Sequence, residues 1–192
     1  IYAYAARYPH TRLPSLASSA SNMPLQKRPS AVELLVADAY RRFGEHLYAR
    51  GDFENAMQQF CHTIGIMSPS VVIRKFLDAQ RLQYLTVYLE ALHARHLAHT
   101  GHATLLLNCY TKLRNIEALD RFLGASDVPL DVPVALDVCR RAGCVAQAAH
   151  LAQAHGMHDV YLSIQLHDVD DPKAALDYLA SPQHSDVMRY FH

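Results

Sequence analysis

The sequence predicts an all-α protein, an α-solenoid of stacked helical hairpins. Every periodic apolar segment repeats with the 3.6-residue period of a helix, and none alternates with the period of two that is typical of strands. A helix-turn signature also recurs about every thirty residues, which is the period of a helical repeat array. Its anchor positions are separated by 29, 33, 30 and 27 residues and are Ala56, Leu85, Ala118, Ala148 and Ala175. Because one hairpin cannot bury its own apolar face, we expect neighbouring hairpins to share one continuous core.

The first predicted hairpin has clear start signals. Ser30 is expected to form a capping box with Glu33 and to open a helix that ends near Gly51. We expect its apolar stripe to face the core: Val32, Leu35, Val36, Ala39, Tyr40, Phe43 and Leu47. Asp52 is expected to cap the partner helix, which ends at Gly65. The inner face of that helix is predicted to be Ala56, Met57, Phe60, Cys61 and Ile64.

The later helices follow from the same periodicity. Ser68-Pro69 restarts the chain, with proline at the first helical position, and a second helix carries Leu82, Leu85, Leu89 and Leu92. We then expect pairs over residues 102–113 with 116–123, 132–142 with 144–154, and 158–168 with 172–180, and a further helix from Ser181-Pro182. The small anchor residues would allow two helix axes to approach within about 8–10 Å. The turn residues Gly51, Asn115 and Gly143 would supply left-handed or capping geometry.

Two regions are predicted along the chain. Residues 1–30 are rich in proline and serine and are expected to be a linker or disordered segment, and residues 31–192 are expected to be the α-solenoid. The chain begins at Ile1 without the pattern of a signal peptide and ends inside an apparent helix. We therefore interpret it as a fragment of a longer protein.

Composition narrows the classes of function. The 18 basic and 18 acidic residues cancel, and no lysine or arginine block is present, so neither nucleic-acid binding nor a polybasic membrane anchor is supported. The longest apolar stretches are far shorter than the roughly 20 residues of a spanning helix. The four cysteines, Cys61, Cys109, Cys139 and Cys144, form no CxxC pair. We expect the first three to pack as small apolar residues in a reducing, cytosolic compartment.

The most metal-like pattern is a run of histidines at every third position, His93, His96, His99 and His102. Imidazole suits zinc or copper. However, the helix is expected to end near Ala98, which would separate the last two side chains from the first two, and the run contains no carboxylate. We therefore interpret these residues as exposed histidines at the end of a hairpin.

Other polar groups are also interpreted structurally. Asp168, Asp170 and Asp171 precede Pro172 and are expected to cap a helix rather than to hold calcium. Arg74 and Lys75 are expected to be a solvated helix face, although an acidic partner surface remains an alternative. There is no GxSxG elbow and no phosphate-binding glycine loop. The sequence therefore predicts no catalytic, cofactor-binding or metal-binding residue.

Several long sequence segments resemble those of one family and occur in the same order along the chain. They cover residues 40–60, 63–65, 69–82, 104–113, 135–143 and 161–166. They resemble the vacuolar protein sorting 11 family, which contributes subunits to the HOPS and CORVET tethering complexes, and the resemblance spans about residues 35–190. It implies a clathrin-heavy-chain-repeat solenoid, which in that family lies between a β-propeller and a RING finger. The cysteine and histidine pattern of a RING finger is missing from this sequence.

The resemblance implies a non-enzymatic scaffold that supports vesicle docking and fusion. Its expected partners are the other subunits of the tethering complex, the class C core. It implies a position on the cytoplasmic face of the late endosome or vacuole, with peripheral membrane association only through the complex. Two other classes are weighed against it. A tetratricopeptide-like peptide-binding module would need a near-constant 34-residue period, and a helical enzyme or metal protein would depend on the histidine run alone.

Overall fold

The computed structural model describes residues 29–125 and 128–180 of the chain. Over these residues the chain forms ten α-helices and no β-strand: α1 Ala31–Ala49, α2 Phe53–Cys61, α3 Ser70–Asp78, α4 Leu82–Ala94, α5 Thr100–Leu113, α6 Ile116–Leu123, α7 Val132–Arg141, α8 Val145–Ala154, α9 His158–Ser163 and α10 Pro172–Ala180. The predicted all-α class is confirmed. Most of the predicted linker, and the helix predicted from Ser181, lie outside the described residues.

Packing between neighbouring helices produces a stacked array. Helix α1 packs on α2, α2 on α4, α4 on α5, α5 on α6 and α7, and α7 on α8. One buried cluster extends from Ala56 in α2 to Ile164 just after α9, so the hairpins share a continuous core. A second, smaller cluster of Leu162, Ala175 and Tyr178 holds α10. This arrangement confirms the predicted α-solenoid of stacked hairpins.

The anchor positions lie where the repeat predicts. Each is nearly or completely buried: Ala56, Leu85, Ala118, Ala148 and Ala175. The turns before α2 and α8 contain Gly51 and Gly143 with φ of 83° and 75°, a left-handed conformation that favours glycine. The Asn115 side chain instead accepts a hydrogen bond from the Ala118 amide at 3.1 Å. The predicted roles of the three turn residues are therefore confirmed.

The predicted start of each helix in the first hairpin is also confirmed. The Ser30 hydroxyl accepts a hydrogen bond from the Glu33 amide at 3.2 Å, and the Glu33 carboxylate accepts one from the Ser30 amide at 2.6 Å. Asp52 caps α2 by accepting from the Asn55 amide at 3.3 Å. The end of α2 is at Cys61, before the predicted Gly65, so Ile64 is buried in the following turn rather than in the helix. Pro69 precedes the first helical residue of α3 by one position.

The predicted inner face of α1 is wrong over most of the helix, and only Leu47, near its end, packs half-buried against the core as predicted. Val32, Leu35 and Phe43 are 68%, 71% and 52% exposed, whereas the buried residues of α1 are Ala37 and Gly44. At Gly44 an added Cβ would lie 3.0 Å from Cε1 of Phe60, so α1 and α2 approach closely where α1 has no side chain. The small residues therefore face the core because they allow the closest packing, whereas Val32, Leu35, Val36 and Phe43 remain outside.

The segment predicted as one helix over residues 158–168 changes its winding. Residues Ile164–Val169 continue α9 as a π-helical turn, which ends at Asp170 with φ of 58°. A π-helical turn inserts an extra residue per hydrogen-bonded ring and re-aims the chain that follows. None of the helices in the described part of the chain is long and apolar enough to cross a membrane.

Candidate interaction surface

The four histidines of the run occupy three different environments. Helix α4 ends at Ala94, earlier than predicted, so His93 lies on the helix and His96 lies in the turn with φ of 54°. The His93 ring contacts Phe122 edge-on at 5.4 Å, while His99 and His102 lie at the start of α5. Among the described residues no three potential metal ligands converge. The prediction of exposed histidines is wrong for His102, which is only 8% exposed, and for His93, which is half-buried.

His99 and His102 form a reciprocal cap on α5. Nδ1 of His99 accepts a hydrogen bond from the Gly101 amide at 3.1 Å, and Nδ1 of His102 accepts one from the His99 amide at 3.4 Å. The two rings stack with centroids 3.7 Å apart. Burial, with smaller contributions from His99 and His93, holds the pKa of His102 below its usual value. The pair thus satisfies backbone donors that the first turn of a helix leaves unpaired.

The acidic cluster divides into three different roles. Asp171 caps α10 by accepting from the Ala174 amide at 3.0 Å, so its predicted role is confirmed. The prediction is wrong for Asp168, which instead binds the guanidinium of Arg140 on α7 through two hydrogen bonds of 2.6 and 3.1 Å. Those hydrogen bonds lower the pKa of the Asp168 carboxyl. The prediction is also wrong for Asp170, which supplies the left-handed end of the π-helical turn.

Arg74 and Lys75 do not form one solvated face. Arg74 is exposed, but Lys75 is half-buried. The Lys75 ammonium lies 5.0 Å from the ring centroid of Tyr48 and 5.9 Å from that of Phe60. These cation–π distances give Lys75 a structural contact across the first hairpin. Only Arg74 therefore fits the predicted solvated role.

The cysteines pack as predicted, with one addition. Cys109 and Cys139 are buried, Cys61 is half-buried, and Cys144 is buried as well. Burial raises the pKa of Cys109 and of Cys139 to about 11, so both remain thiols at neutral pH. A nucleophilic cysteine needs the opposite shift, towards the thiolate. Their chemistry here is that of small apolar side chains.

The most distinctive surface of the described residues is the uncovered face of α1. Residues 32, 35, 36, 39 and 43 fall within an arc of about 100° on the helix, and all are exposed. We refer to these five residues as the α1 apolar face. Beside it, the charged residues of α1 neutralise one another: Arg41 pairs with Asp38 at 2.6 Å and with Glu45 at 2.7 Å, and Arg42 pairs with Asp38 at 2.7 Å. The face therefore presents apolar surface without strong net charge, as expected of a protein contact.

A groove of about 800 Å³ forms a second surface feature, between the end of α6 and helix α8. Its walls are mainly apolar, and its polar side chains are Asp120, Gln147, His150 and His155. No hydrogen bond found in the described part of the chain joins a hydroxyl or thiol nucleophile to a histidine base in this groove.

Comparison with known proteins agrees with this architecture. The family model for the PEP5/VPS11 clathrin repeat matches residues 48–192. The chain is 49% identical over 144 residues to the vacuolar protein sorting-associated protein 11 homolog of Dictyostelium discoideum, which covers 75% of the chain. It is 46% identical over 147 residues to the human homolog, again over 75% of the chain, and 46% identical over 149 residues to the Arabidopsis thaliana homolog, over 76%.

The matched segment is a small part of each relative. It amounts to 15% of the length of the Dictyostelium protein and 16% of the human and Arabidopsis proteins. The match begins at residue 48, within the last turn of α1, so the whole α1 apolar face lies outside the family model.

Proposed function

The chain belongs to the PEP5/VPS11 clathrin-repeat family, and we propose that it is a scaffold segment of a HOPS/CORVET-type tethering complex. In this role it supports vesicle docking, fusion and vacuolar protein transport through protein–protein contacts and performs no reaction of its own. Its partners are the other subunits of the complex, the class C core. It acts on the cytoplasmic face of late endosomes and vacuoles and reaches the membrane only through the complex.

The observation that supports this proposal most is the continuous core from Ala56 to Ile164. A stacked array with one core holds its two ends at a fixed separation, which is what a tethering subunit requires. The relatives are named for vacuolar protein sorting, which fits the same role. The alternative of a tetratricopeptide-like module is not favoured, because the matching family is a clathrin repeat.

We assign the α1 apolar face to contact with an apolar-faced helix of another subunit. Leu35 and Phe43 are 71% and 52% exposed, on the side of α1 away from Ala37 and Gly44. A helix placed there would continue the helix-on-helix packing that joins α2 to α10. The neighbouring ion pairs of Arg41 and Arg42 leave little charge for an acidic or basic ligand to recognise.

Two experiments test the role. The first deletes residues 35–180 from the parent protein and measures assembly of the complex and vacuole fusion, both of which should fail. Normal assembly together with normal fusion would reject the scaffold role.

The second experiment replaces Leu35 and Phe43 by Gln and measures co-purification of the other subunits. The matched control replaces Arg42 and Ala49 by Gln, which changes exposed residues of the same helix outside the apolar face. The first pair should reduce co-purification and the control should not, while circular dichroism shows both variants folded. Equal recovery of partners from both variants would place the contact elsewhere without affecting the scaffold proposal.

A further inference from the structure

The cap at the start of α5 is built from two titratable rings, which is an unusual choice. The residues preferred at the N-cap are Ser, Thr, Asp and Asn, whose oxygens accept hydrogen bonds throughout the physiological pH range. In this protein the acceptors are Nδ1 of His99 and Nδ1 of His102. A ring nitrogen accepts only when it carries no proton. The cap therefore exists only while both imidazoles are neutral, with their hydrogens on Nε2.

Protonation of these rings would destabilise the cap in three ways. Nδ1 would become a donor facing the amide N–H that it now accepts from, so a hydrogen bond would be lost. The positive charge would lie at the N-terminus of α5, where the helix dipole is also positive. Protonation of both would bring two cations into a stack with a centroid distance of 3.7 Å.

Among the described residues, the groups that act on the His102 ring do not compensate for its charge. The side chain is 8% exposed, so water solvates it poorly. The groups that act on it electrostatically are His99, in its own cap, and His93, which faces it from α4, and both disfavour its protonation. Burial and these two neighbours therefore all lower the pKa of His102.

We propose that the His99–His102 pair is a proton-sensitive cap, which holds the start of α5 at neutral pH and releases it on acidification. The folded chain resists proton uptake at His102, whereas the unfolded chain binds a proton with an ordinary pKa of about 6.5. This contribution to stability is therefore complete above about pH 6.5 and is lost as the pH falls below it, towards the lowered pKa of the folded state.

The position of α5 extends the effect beyond the first turn. Helix α5 packs on α4, α6 and α7, and its buried side chains include Ala103 one residue after the cap and Leu106 one turn later. Loss of the cap would weaken the joint between the first and second halves of the array. This property depends only on the geometry of α5 and not on the tethering role.

The test compares the unmodified chain with the double variant His99→Ser and His102→Gln. This pair restores the ordinary Ser-x-x-Gln capping box, which does not titrate between pH 5 and 8. The matched control replaces two exposed histidines, His46 and His150, by Gln. Urea unfolding is measured at pH 7.5 and 5.5, and the histidine rings of the unmodified chain are titrated by NMR.

The unmodified chain and the control should lose stability over this range to a similar extent. The capping-box variant should lose less, by up to about tenfold in its unfolding equilibrium constant, and the limit is reached if the folded chain binds no proton at His102 at pH 5.5. In the NMR titration His102 should titrate below the exposed histidines. A His102 pKa at or above 6.5 would overturn the proposal, and so would a variant with the pH dependence of the unmodified chain. If the variant does not fold, the NMR titration of the unmodified chain decides alone.

Discussion

The close approach of α1 and α2 gives a prediction for the effect of a side chain at Gly44. Replacing Gly by Ala in a helix interior normally stabilises a protein by about 1 kcal/mol. At Gly44 the new Cβ would lie 3.0 Å from Cε1 of Phe60 and 3.2 Å from Cδ1 and Cζ. The movement of the ring is restrained, because it is 2% exposed and packs edge-on against Phe76 with centroids 6.0 Å apart. We therefore expect an overpacking cost of about 1–3 kcal/mol.

The two effects combine differently once the ring is removed. With Phe60 present, Gly44→Ala should destabilise the protein by up to about 2 kcal/mol, because the overpacking cost exceeds the gain in helix propensity. Phe60→Ala alone should cost about 3–5 kcal/mol. In that background the contact is absent, so Gly44→Ala should stabilise by about 1 kcal/mol. The coupling free energy between the two positions is thus about 1–3 kcal/mol.

A double-mutant cycle measures this coupling by urea unfolding, followed by far-UV circular dichroism at a constant m-value. The control cycle pairs Phe60→Ala with Ala39→Gly, an exposed position in the same helix. That change should cost about 1 kcal/mol in both backgrounds. If Gly44→Ala and Phe60→Ala were additive within about 0.5 kcal/mol, the small residues of α1 would not set the distance between the two helices.

Three further changes test the repeat. Ala148→Glu, at a fully buried anchor, should cost several kcal/mol in urea unfolding because it combines overpacking with a buried charge, whereas Arg50→Glu on the surface should stay within about 0.5 kcal/mol. Leu106→Ala, in the core of α5, should cost about 2–5 kcal/mol by the same measurement, and a loss below 1 kcal/mol would place it outside the core. Asp171→Ala should cost about 0.5–2 kcal/mol and should increase hydrogen exchange at the Ala174 amide, which an intact cap protects.

The repeat could be predicted from the sequence because its signals are local. Caps such as Ser30 with Glu33, and left-handed turns such as Gly51, depend on residues a few positions apart. The anchor Ala56 could be located because alanine occupies the same position in four of the five units. These features need no knowledge of how distant parts of the chain meet.

The orientation of α1 could not be predicted in the same way. A helical wheel of α1 shows two faces that could pack against the core. One has large apolar residues such as Leu35, and the other has small residues such as Ala37 and Gly44. Hydrophobic periodicity favours the first, but the second allows the Phe60 ring to lie directly against the backbone of α1. The choice depends on the partner's shape, which one helix does not reveal.

The cap formed by His99 and His102 could not be predicted from the sequence for a related reason. A spacing of three residues, as between His99 and His102, suits either metal ligands on one helix face or an N-cap with its N3 residue. The end of α4 at Ala94 decides between these, because it places His99 just before α5 rather than within a continuing helix. The signal that could have identified the cap was the position of the pair at a helix start, which required the boundary to be known within a few residues.

The distribution of the core determines where this segment can respond to change. The main buried cluster runs without interruption from α2 to Ile164, while α10 is held by a separate cluster around Tyr178. Tyr161 packs against both clusters, and Nδ1 of His158 lies 2.7 Å from the Tyr178 hydroxyl, so α10 is connected to the array through α9 and the π-helical turn. In a stacked array each unit is stabilised by its nearest neighbours. A perturbation of α5 therefore weakens contacts on both sides of it, whereas a perturbation of α10 remains at that end, which makes the cap of α5 the more effective position for control.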